Sequence, residues 1–78
     1  MSATDRMIAY HIARLQDKNP EVRLKSIREL DLLNAVSAMD ALEALYRQET
    51  DDTVRKAARQ LGLKLYKLRR AQDGDSGA

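Results

Sequence analysis

Two stretches of this 78-residue chain echo one another and decide its fold: "NPEVRLKSIREL" at residues 19–30 and "DDTVRKAARQLG" at residues 51–62. The dipeptide Val-Arg at residues 22–23 recurs at residues 54–55, which is 32 residues later. Each stretch opens a run in which apolar residues return every three or four positions, as on one face of an α-helix. The repetition of one helix therefore predicts the repetition of a whole helical unit.

The spacing of apolar residues predicts four amphipathic helices and no strand. Their expected extents are about residues 4–16, 20–33, 38–48 and 52–70. Asn19 and Asp51 are expected to cap the second and fourth helices, with Pro20 at the first helical position. Ser37, followed three residues later by Asp40, is expected to cap the third. Because short connections make neighbouring helices antiparallel, the order is a helical hairpin followed by a second one.

Each predicted helix carries an apolar stripe that we expect to lie in the core. The four stripes are Ile8, Ile12 and Leu15; Val22, Ser26, Ile27, Leu30 and Leu33; Ala38, Leu42, Leu45 and Tyr46; and Val54, Ala57, Ala58, Leu61, Leu65 and Leu68. Leu24, Leu32 and Leu63 fall off these stripes. A hairpin cannot bury its stripe alone, so we expect an all-α fold of two stacked helical hairpins, an α-solenoid. Residues 1–70 would form this single domain and residues 71–78 a flexible polar tail.

The repeated unit resembles HEAT repeats, in particular the short HEAT-like repeats related to phycobilisome lyases. The shared features are an acid (Asp17 or Glu49), a short turn, the Val-Arg dipeptide, and then small and apolar residues. The resemblance covers about residues 4–68. The 32-residue spacing is shorter than the ~40–47 residues usual for HEAT and armadillo repeats. An unrelated four-helix bundle with two similar caps therefore remains as the alternative.

The resemblance also implies roles for particular residues. Val22 and Val54 would pack inside, and the arginine that follows each would pair with a turn acid of an adjacent repeat. Asp17 and Asp51 are the candidate acids. The second helix of each hairpin would line the concave side, which binds partners in such proteins. We do not carry over a bilin site, because no residues here match one.

The sequence offers little for catalysis. The chain has no cysteine, which removes disulfides and thiolate ligands, and no Gly-rich phosphate loop. His11 is the only histidine and has no second His, Cys or placed carboxylate around it, so we expect a partly buried structural residue. We therefore expect no enzymatic activity, no cofactor or metal and no small-molecule substrate. With no apolar run of ~20 residues and a charged N-terminal segment, we expect a cytoplasmic protein without a membrane role.

Positive charge is concentrated on the fourth helix. Residues 54–70 hold seven cations and no acid, against a net charge of +2 for the whole chain. With Val54 as the origin of a helical wheel, Leu63 falls at roughly 180° and Tyr66 near 120°, away from the apolar stripe. These two and five surrounding cations form what we call the basic surface. Its members are Arg55, Lys56, Arg59, Leu63, Tyr66, Lys67 and Arg70.

Two functions from different classes fit the basic surface. Tyr and Arg are favoured at binding hot spots, which indicates a non-catalytic protein-interaction module: an adaptor or a small subunit of a larger complex, binding an acidic or mixed protein surface or a second copy. The alternative is a nucleic-acid-binding protein, because the cations could follow a phosphate backbone. A simpler interpretation is a solvated basic face, with Leu63 and Tyr66 exposed by chance or covering the end of the bundle.

Overall fold

The computed structural model describes residues 1–73 and has four α-helices and one 3₁₀ turn, with no strand in that range. In chain order the elements are α1 (Ala3–Arg14), α2 (Pro20–Leu32), the 3₁₀ turn (Val36–Ala38), α3 (Met39–Gln48) and α4 (Asp52–Asp73). Helix α1 packs on α2, α3 packs on α4, and α2 lies beside α4. The predicted all-α architecture of two stacked helical hairpins is confirmed.

The caps predicted for α2 and α4 are confirmed. The side-chain oxygen of Asn19 accepts a hydrogen bond from the backbone N–H of Glu21 at 2.8 Å. In the second hairpin, a carboxylate oxygen of Asp51 accepts from the backbone N–H of Val54 at 3.0 Å. Each cap satisfies an N–H group that has no partner within its own helix. Pro20, which has no N–H to lose, occupies the first position of α2.

The connection between α2 and α3 does not contain the serine cap predicted for α3, so that prediction is wrong. Asn34 has a φ of 48°, in the left-handed region that asparagine tolerates better than most residues. The N–H of Ala35 donates to the carbonyl of Leu30 at 3.1 Å, and the N–H of Asn34 donates to the carbonyl of Asp31 at 3.0 Å. This Schellman motif ends α2. The 3₁₀ turn then leads into α3, so Ser37 lies inside that turn and no side chain caps α3.

Two helix ends also differ from the expected boundaries. Helix α1 begins with a capping box between Ser2 and Asp5, which the apolar spacing did not indicate. Helix α4 continues to Asp73 and so takes in residues 71–73, which we expected in the tail. The reason is local: no Gly or Pro occurs between residues 63 and 73, and the Asp73 carboxylate lies 4.0 Å from Nε of Arg69, one turn earlier. The rest of the predicted tail, residues 74–78, lies outside the described residues.

The core follows the predicted stripes in most places. The buried apolar side chains are Leu15, Ile27, Leu30, Ala35, Ala38, Leu42, Leu45, Val54, Ala58, Leu61 and Leu65. Seven residues of the predicted stripes are only partly buried: Ile8, Ile12, Val22, Leu33, Tyr46, Ala57 and Leu68. Leu24, expected off the stripe, packs partly against the core because α4 lies alongside that flank of α2. The predicted pattern therefore locates the core, and the stacking of the hairpins adjusts its edges.

A buried ion pair joins the two hairpins. Nε and Nη2 of Arg23 each donate to a carboxylate oxygen of Glu49 at 2.7 Å. The side chain of Glu49 is 1% exposed and that of Arg23 is 15% exposed. Two parallel bonds between charged groups are short and geometrically specific. The hydrogen bond from Arg23 is the main cause that holds the pKa of Glu49 below its ordinary value.

Neither Asp17 nor Asp51 forms the ion pair predicted with Arg23 or Arg55, so that prediction is wrong. An acid of the adjacent repeat, Glu49, does bind Arg23. The carboxylate of Asp17 instead accepts a hydrogen bond from the N–H of Asn19 at 2.9 Å. The hydrogen bond between Arg23 and Asp17, at 2.8 Å, uses the backbone carbonyl of Asp17 and not its carboxylate. Glu49 accepts from the N–H of Asp51 in the same way, at 3.0 Å. The two acids are structural counterparts, but only Glu49 also reaches an arginine of the neighbouring hairpin.

Candidate functional site

The basic surface lies on the solvent side of α4. Val54, Ala58, Leu61 and Leu65 anchor the opposite side in the core, which fixes the rotation of the helix. Leu63 and Tyr66 are 48% and 50% exposed, so half of each side chain stays in contact with water. They do not close the end of the bundle, as one of the simpler interpretations supposed.

The cations of α4 fall into two groups. Lys64 forms an ion pair with Asp31 of α2, and Arg69 lies near Asp73 on its own helix. The five cations of the basic surface form no ion pair with a carboxylate within residues 1–73. They are Arg55, Lys56, Arg59, Lys67 and Arg70. The basic surface is thus the part of α4 whose charge residues 1–73 do not neutralise.

Two of these cations stack on tyrosines. The guanidinium of Arg55 lies over the ring of Tyr46 at 4.1 Å from the centroid, and its Nε donates to the carbonyl of Tyr46 at 3.3 Å. The guanidinium of Arg70 lies 5.9 Å from the ring centroid of Tyr66. Such contacts orient the guanidinium groups without removing their charge. Tyr46 had been expected inside the core, and its half-exposed ring serves here as a support for Arg55.

A groove of about 240 Å³ runs between α3 and α4, and we call it the end groove. All of its described lining residues belong to the second hairpin, so it opens on the side away from the first. Its apolar part comes from α3 and α4 in equal measure: Met39, Leu42, Tyr46, Ala58, Gly62 and Leu63. Of the predicted basic surface, it contains Arg59 and Leu63, with Arg55 next to it over Tyr46.

The two rims of the end groove carry opposite charges. Asp40 and Glu43 line it from α3, and Arg59 lines it from α4. All three are exposed. Glu43 binds Arg47 at 2.9 Å on the outer side of α3, whereas Asp40 and Arg59 have no ion pair within the described chain. The acidic rim was not part of the sequence prediction, because the pairing of α3 with α4 brings it beside the basic surface.

A wider groove of about 680 Å³ separates α2 from α4. Lys56 lies on its α4 side together with Gln60 and Lys64, and Arg28 and Asp31 lie on its α2 side. Lys67 lines a shallower depression next to Leu63. The structure therefore divides the predicted residues between two sides of α4, with Leu63 between them. It does not bring all seven into one pocket.

The remaining sequence candidates for chemistry stay isolated. His11 is half-buried, its ring meets Tyr10 edge-on at 5.1 Å, and its Nδ1 has no hydrogen-bond partner within residues 1–73. The described residues contain no cluster of three or more His, Cys, Asp or Glu able to hold a metal ion. In the same range, no helix combines the length and hydrophobicity needed to cross a membrane.

Comparison with known proteins identifies one family. Residues 3–62 match the family described as HEAT repeats, which is more than half of the chain. The match concerns that family as a whole, so the subtype related to phycobilisome lyases stays a prediction. No curated protein and no solved structure matches the chain significantly.

Proposed function

We propose that this chain, which belongs to the family of HEAT repeats, is a non-catalytic protein-interaction module that binds a partner through the basic surface. HEAT repeats are commonly protein-interaction modules and are generally non-enzymatic scaffolds. The observation that carries the proposal is the exposure of Leu63 and Tyr66 among five cations that form no ion pair with the described residues. The role would be that of an adaptor or of a small subunit in a larger complex.

The two apolar side chains of the basic surface can contribute to the free energy of binding a partner. Leu63 and Tyr66 leave about half of their area in water, although the neighbouring Leu61 and Leu65 are buried. Covering apolar area contributes roughly 25 cal/mol per Å². Tyrosine and arginine are also enriched among residues that dominate interface energetics. A partner that covered these two side chains would gain from both effects.

The five cations of the basic surface would make it selective for partners with acidic surfaces. Its five cations face outward without ion pairs inside the described chain, whereas Lys64 and Arg69 already have acidic neighbours. Complementary charge raises association rates and discriminates against unsuitable partners. The matching surface would therefore be acidic, or mixed with acids facing the arginines. We expect it in a protein of the same compartment, for which we propose the cytoplasm.

The proposal is tested by recovering complexes from native cell extract with three tagged chains. These are the unmodified chain, the double variant Leu63→Asp/Tyr66→Ala, and Leu32→Asp as a matched control. Leu32 is also an exposed leucine, at 78%, but lies on α2 outside the basic surface. Each extract is divided, and one half receives nuclease. Helical content and thermal stability of the three chains are compared first by circular dichroism.

We expect a stoichiometric protein partner that survives nuclease with the unmodified chain and with the control. The double variant should lose it while remaining folded. With the partner purified, its dissociation constant should rise at least about thirtyfold for the double variant, because a hot-spot residue contributes ~2 kcal/mol or more. A partner bound equally by all three chains would refute the surface. Loss of every partner on nuclease treatment would instead establish the nucleic-acid alternative.

A further inference from the structure

The end groove is complementary to itself in charge. Its α3 rim presents Asp40 and Glu43, and its α4 rim presents Arg59, with Arg55 close by over Tyr46. Between the rims lies an apolar floor that includes Met39 and Leu63. If a second groove faces the first across a two-fold axis parallel to its length, each acidic rim meets the basic rim of the other copy. A two-fold interface repeats every contact, so one favourable pairing is gained twice.

The outer face of the second hairpin is not suited to receive a third hairpin of the same kind. Shifted by the 32-residue repeat, Arg59 corresponds to Ile27 and Gly62 to Leu30. Ile27 and Leu30 are both buried in the core. Terminal repeats of solenoids replace such residues with polar ones. An arginine and a glycine at these two positions therefore favour a docking surface that differs from continued stacking.

One arginine of this fold binds an acid of the other hairpin. Arg23 of the first hairpin is held by Glu49 of the second through two bonds of 2.7 Å. Its counterpart Arg55 lies beside the end groove and, among residues 1–73, is bound only to the carbonyl and ring of Tyr46. Arg59, one turn further on, forms no ion pair within residues 1–73. The α4 side of the end groove thus presents two guanidinium groups that a carboxylate of another chain could bind.

Gly62 gives the end groove room for close approach. A Cβ added there would meet no atom of the described residues within 4 Å, so no contact in that part of the chain requires the glycine. It nevertheless lies in the middle of α4, where glycine weakens a helix. Gly62 lines the end groove, and because it has no side chain, another chain can approach the backbone of α4 there.

We propose that a second copy of this chain occupies the end groove, forming a symmetric dimer in which Glu43 of each copy binds Arg59 of the other. The proposal rests on the proposed function and names the partner of the part of the basic surface that borders α3. The ion pair between Glu43 and Arg47 does not prevent Glu43 from binding Arg59 of the other copy. The side chains of Glu43 and Arg47 are 62% and 74% exposed and can exchange partners at little cost.

The test measures the self-association of purified protein by sedimentation equilibrium over a range of concentrations. Four chains are compared: the unmodified one, Glu43→Lys, Arg59→Glu and, as a matched control, Arg69→Glu. The control changes the charge of α4 by the same amount as Arg59→Glu, but Arg69 lies outside both the end groove and the basic surface and is 59% exposed. We expect the unmodified chain and the control to dimerise alike. Each of the other two should dimerise at least about tenfold more weakly, because both symmetric contacts become repulsive.

Mixing the two weakened chains separates the proposal from simple loss of folding. In an equimolar mixture of Glu43→Lys and Arg59→Glu, the two substituted side chains attract each other and the two native ones still pair. We expect dimers to return, as mixed dimers, with an affinity within about threefold of the original. The same restoration is expected when both substitutions are placed in one chain.

Three results would overturn this inference. They are a chain that stays monomeric up to about 1 mM, a dimer equally weakened by Arg69→Glu, and a mixture that fails to restore association. None of these would refute the proposed function, which depends on a nuclease-resistant partner lost with Leu63→Asp/Tyr66→Ala. Conversely, failure to recover such a partner would leave the dimer measurement standing on its own.

Discussion

Replacing Glu49 by alanine should cost more stability than any other single loss of an ion pair in this fold. The substitution removes two bonds of 2.7 Å to Arg23 and the acceptor for the N–H of Asp51 at 3.0 Å. Breaking a buried ion pair generally costs 3–5 kcal/mol, since the remaining charge stays buried without its partner. Arg23 is 15% exposed and keeps its bonds to the carbonyls of Asp17 and Lys18. We therefore expect the low end, about 3 kcal/mol.

That loss is large for a chain of this size. A domain of 78 residues is stable by roughly 4–12 kcal/mol, at 0.05–0.15 kcal/mol per residue. The midpoint of thermal unfolding should fall by roughly 12–24 °C, at 4–8 °C per kcal/mol. Arg23→Ala and the double variant complete a double-mutant cycle, whose coupling energy should be about 2 kcal/mol. The measurement is urea unfolding followed by circular dichroism, at a concentration low enough to keep the chain monomeric.

Asp31→Ala is the matched control, because the ion pair between Asp31 and Lys64 also joins the two hairpins. Its side chains are 49% and 45% exposed, so solvent screens the interaction. We expect a cost of no more than about 1 kcal/mol. Equal losses for Asp31→Ala and Glu49→Ala, or a coupling energy near zero between Arg23 and Glu49, would refute the reasoning that burial makes this pair important.

Three further predictions concern the described part of the chain. Because Arg23 holds the pKa of Glu49 below its ordinary value of 4.5, the carboxylate contributes stability above that pH and loses it as pH falls through the lowered value. Urea midpoints between pH 3 and 7 should fall more steeply for the unmodified chain than for Glu49→Gln, and parallel curves would contradict this. Gly62→Ala should stabilise the monomer by about 1 kcal/mol, since the added Cβ meets nothing within 4 Å; a lower melting temperature in dilute solution would count against it. Asn34→Val should destabilise by about 1–2 kcal/mol in urea unfolding, because a β-branched residue is strained at a φ of 48°, whereas Asn34→Gly should be neutral or stabilising; equal effects would disprove this account of the turn.

Helix order and core were predictable because they follow from local rules. Periodicity located the buried residues of α3 and α4, and the caps at Asn19 and Asp51 follow from the hydrogen bonds that such side chains make to the first turn. The Schellman motif at Asn34 was also within reach, since asparagine directly after an apolar-periodic run is a recognised helix stop. Ser37 and Asp40 fit a capping box in spacing, but spacing alone does not reveal the 3₁₀ turn that precedes α3.

Contacts between hairpins were not predictable in the same way. The repeat aligns Asp17 with Glu49, but which acid reaches an arginine depends on the neighbouring hairpin and on one extra methylene group. The exposure of Leu63 and Tyr66 followed from their angles on the helix. The end groove did not follow, because it requires the relative placement of α3 and α4, which decides that Glu43 and Arg59 line one groove.

The most direct test of the central claim, that partners bind the basic surface, observes Leu63 and Leu32 in one sample. These two exposed leucines lie on different helices, so we expect separate methyl signals for them in nuclear magnetic resonance after ¹³C labelling of leucine. The sample is titrated with the partner recovered from nuclease-treated extract. We predict that the Leu63 methyl signals shift in proportion to the bound fraction while those of Leu32 stay unchanged. Shifts at Leu32 with an unchanged Leu63 would contradict the claim.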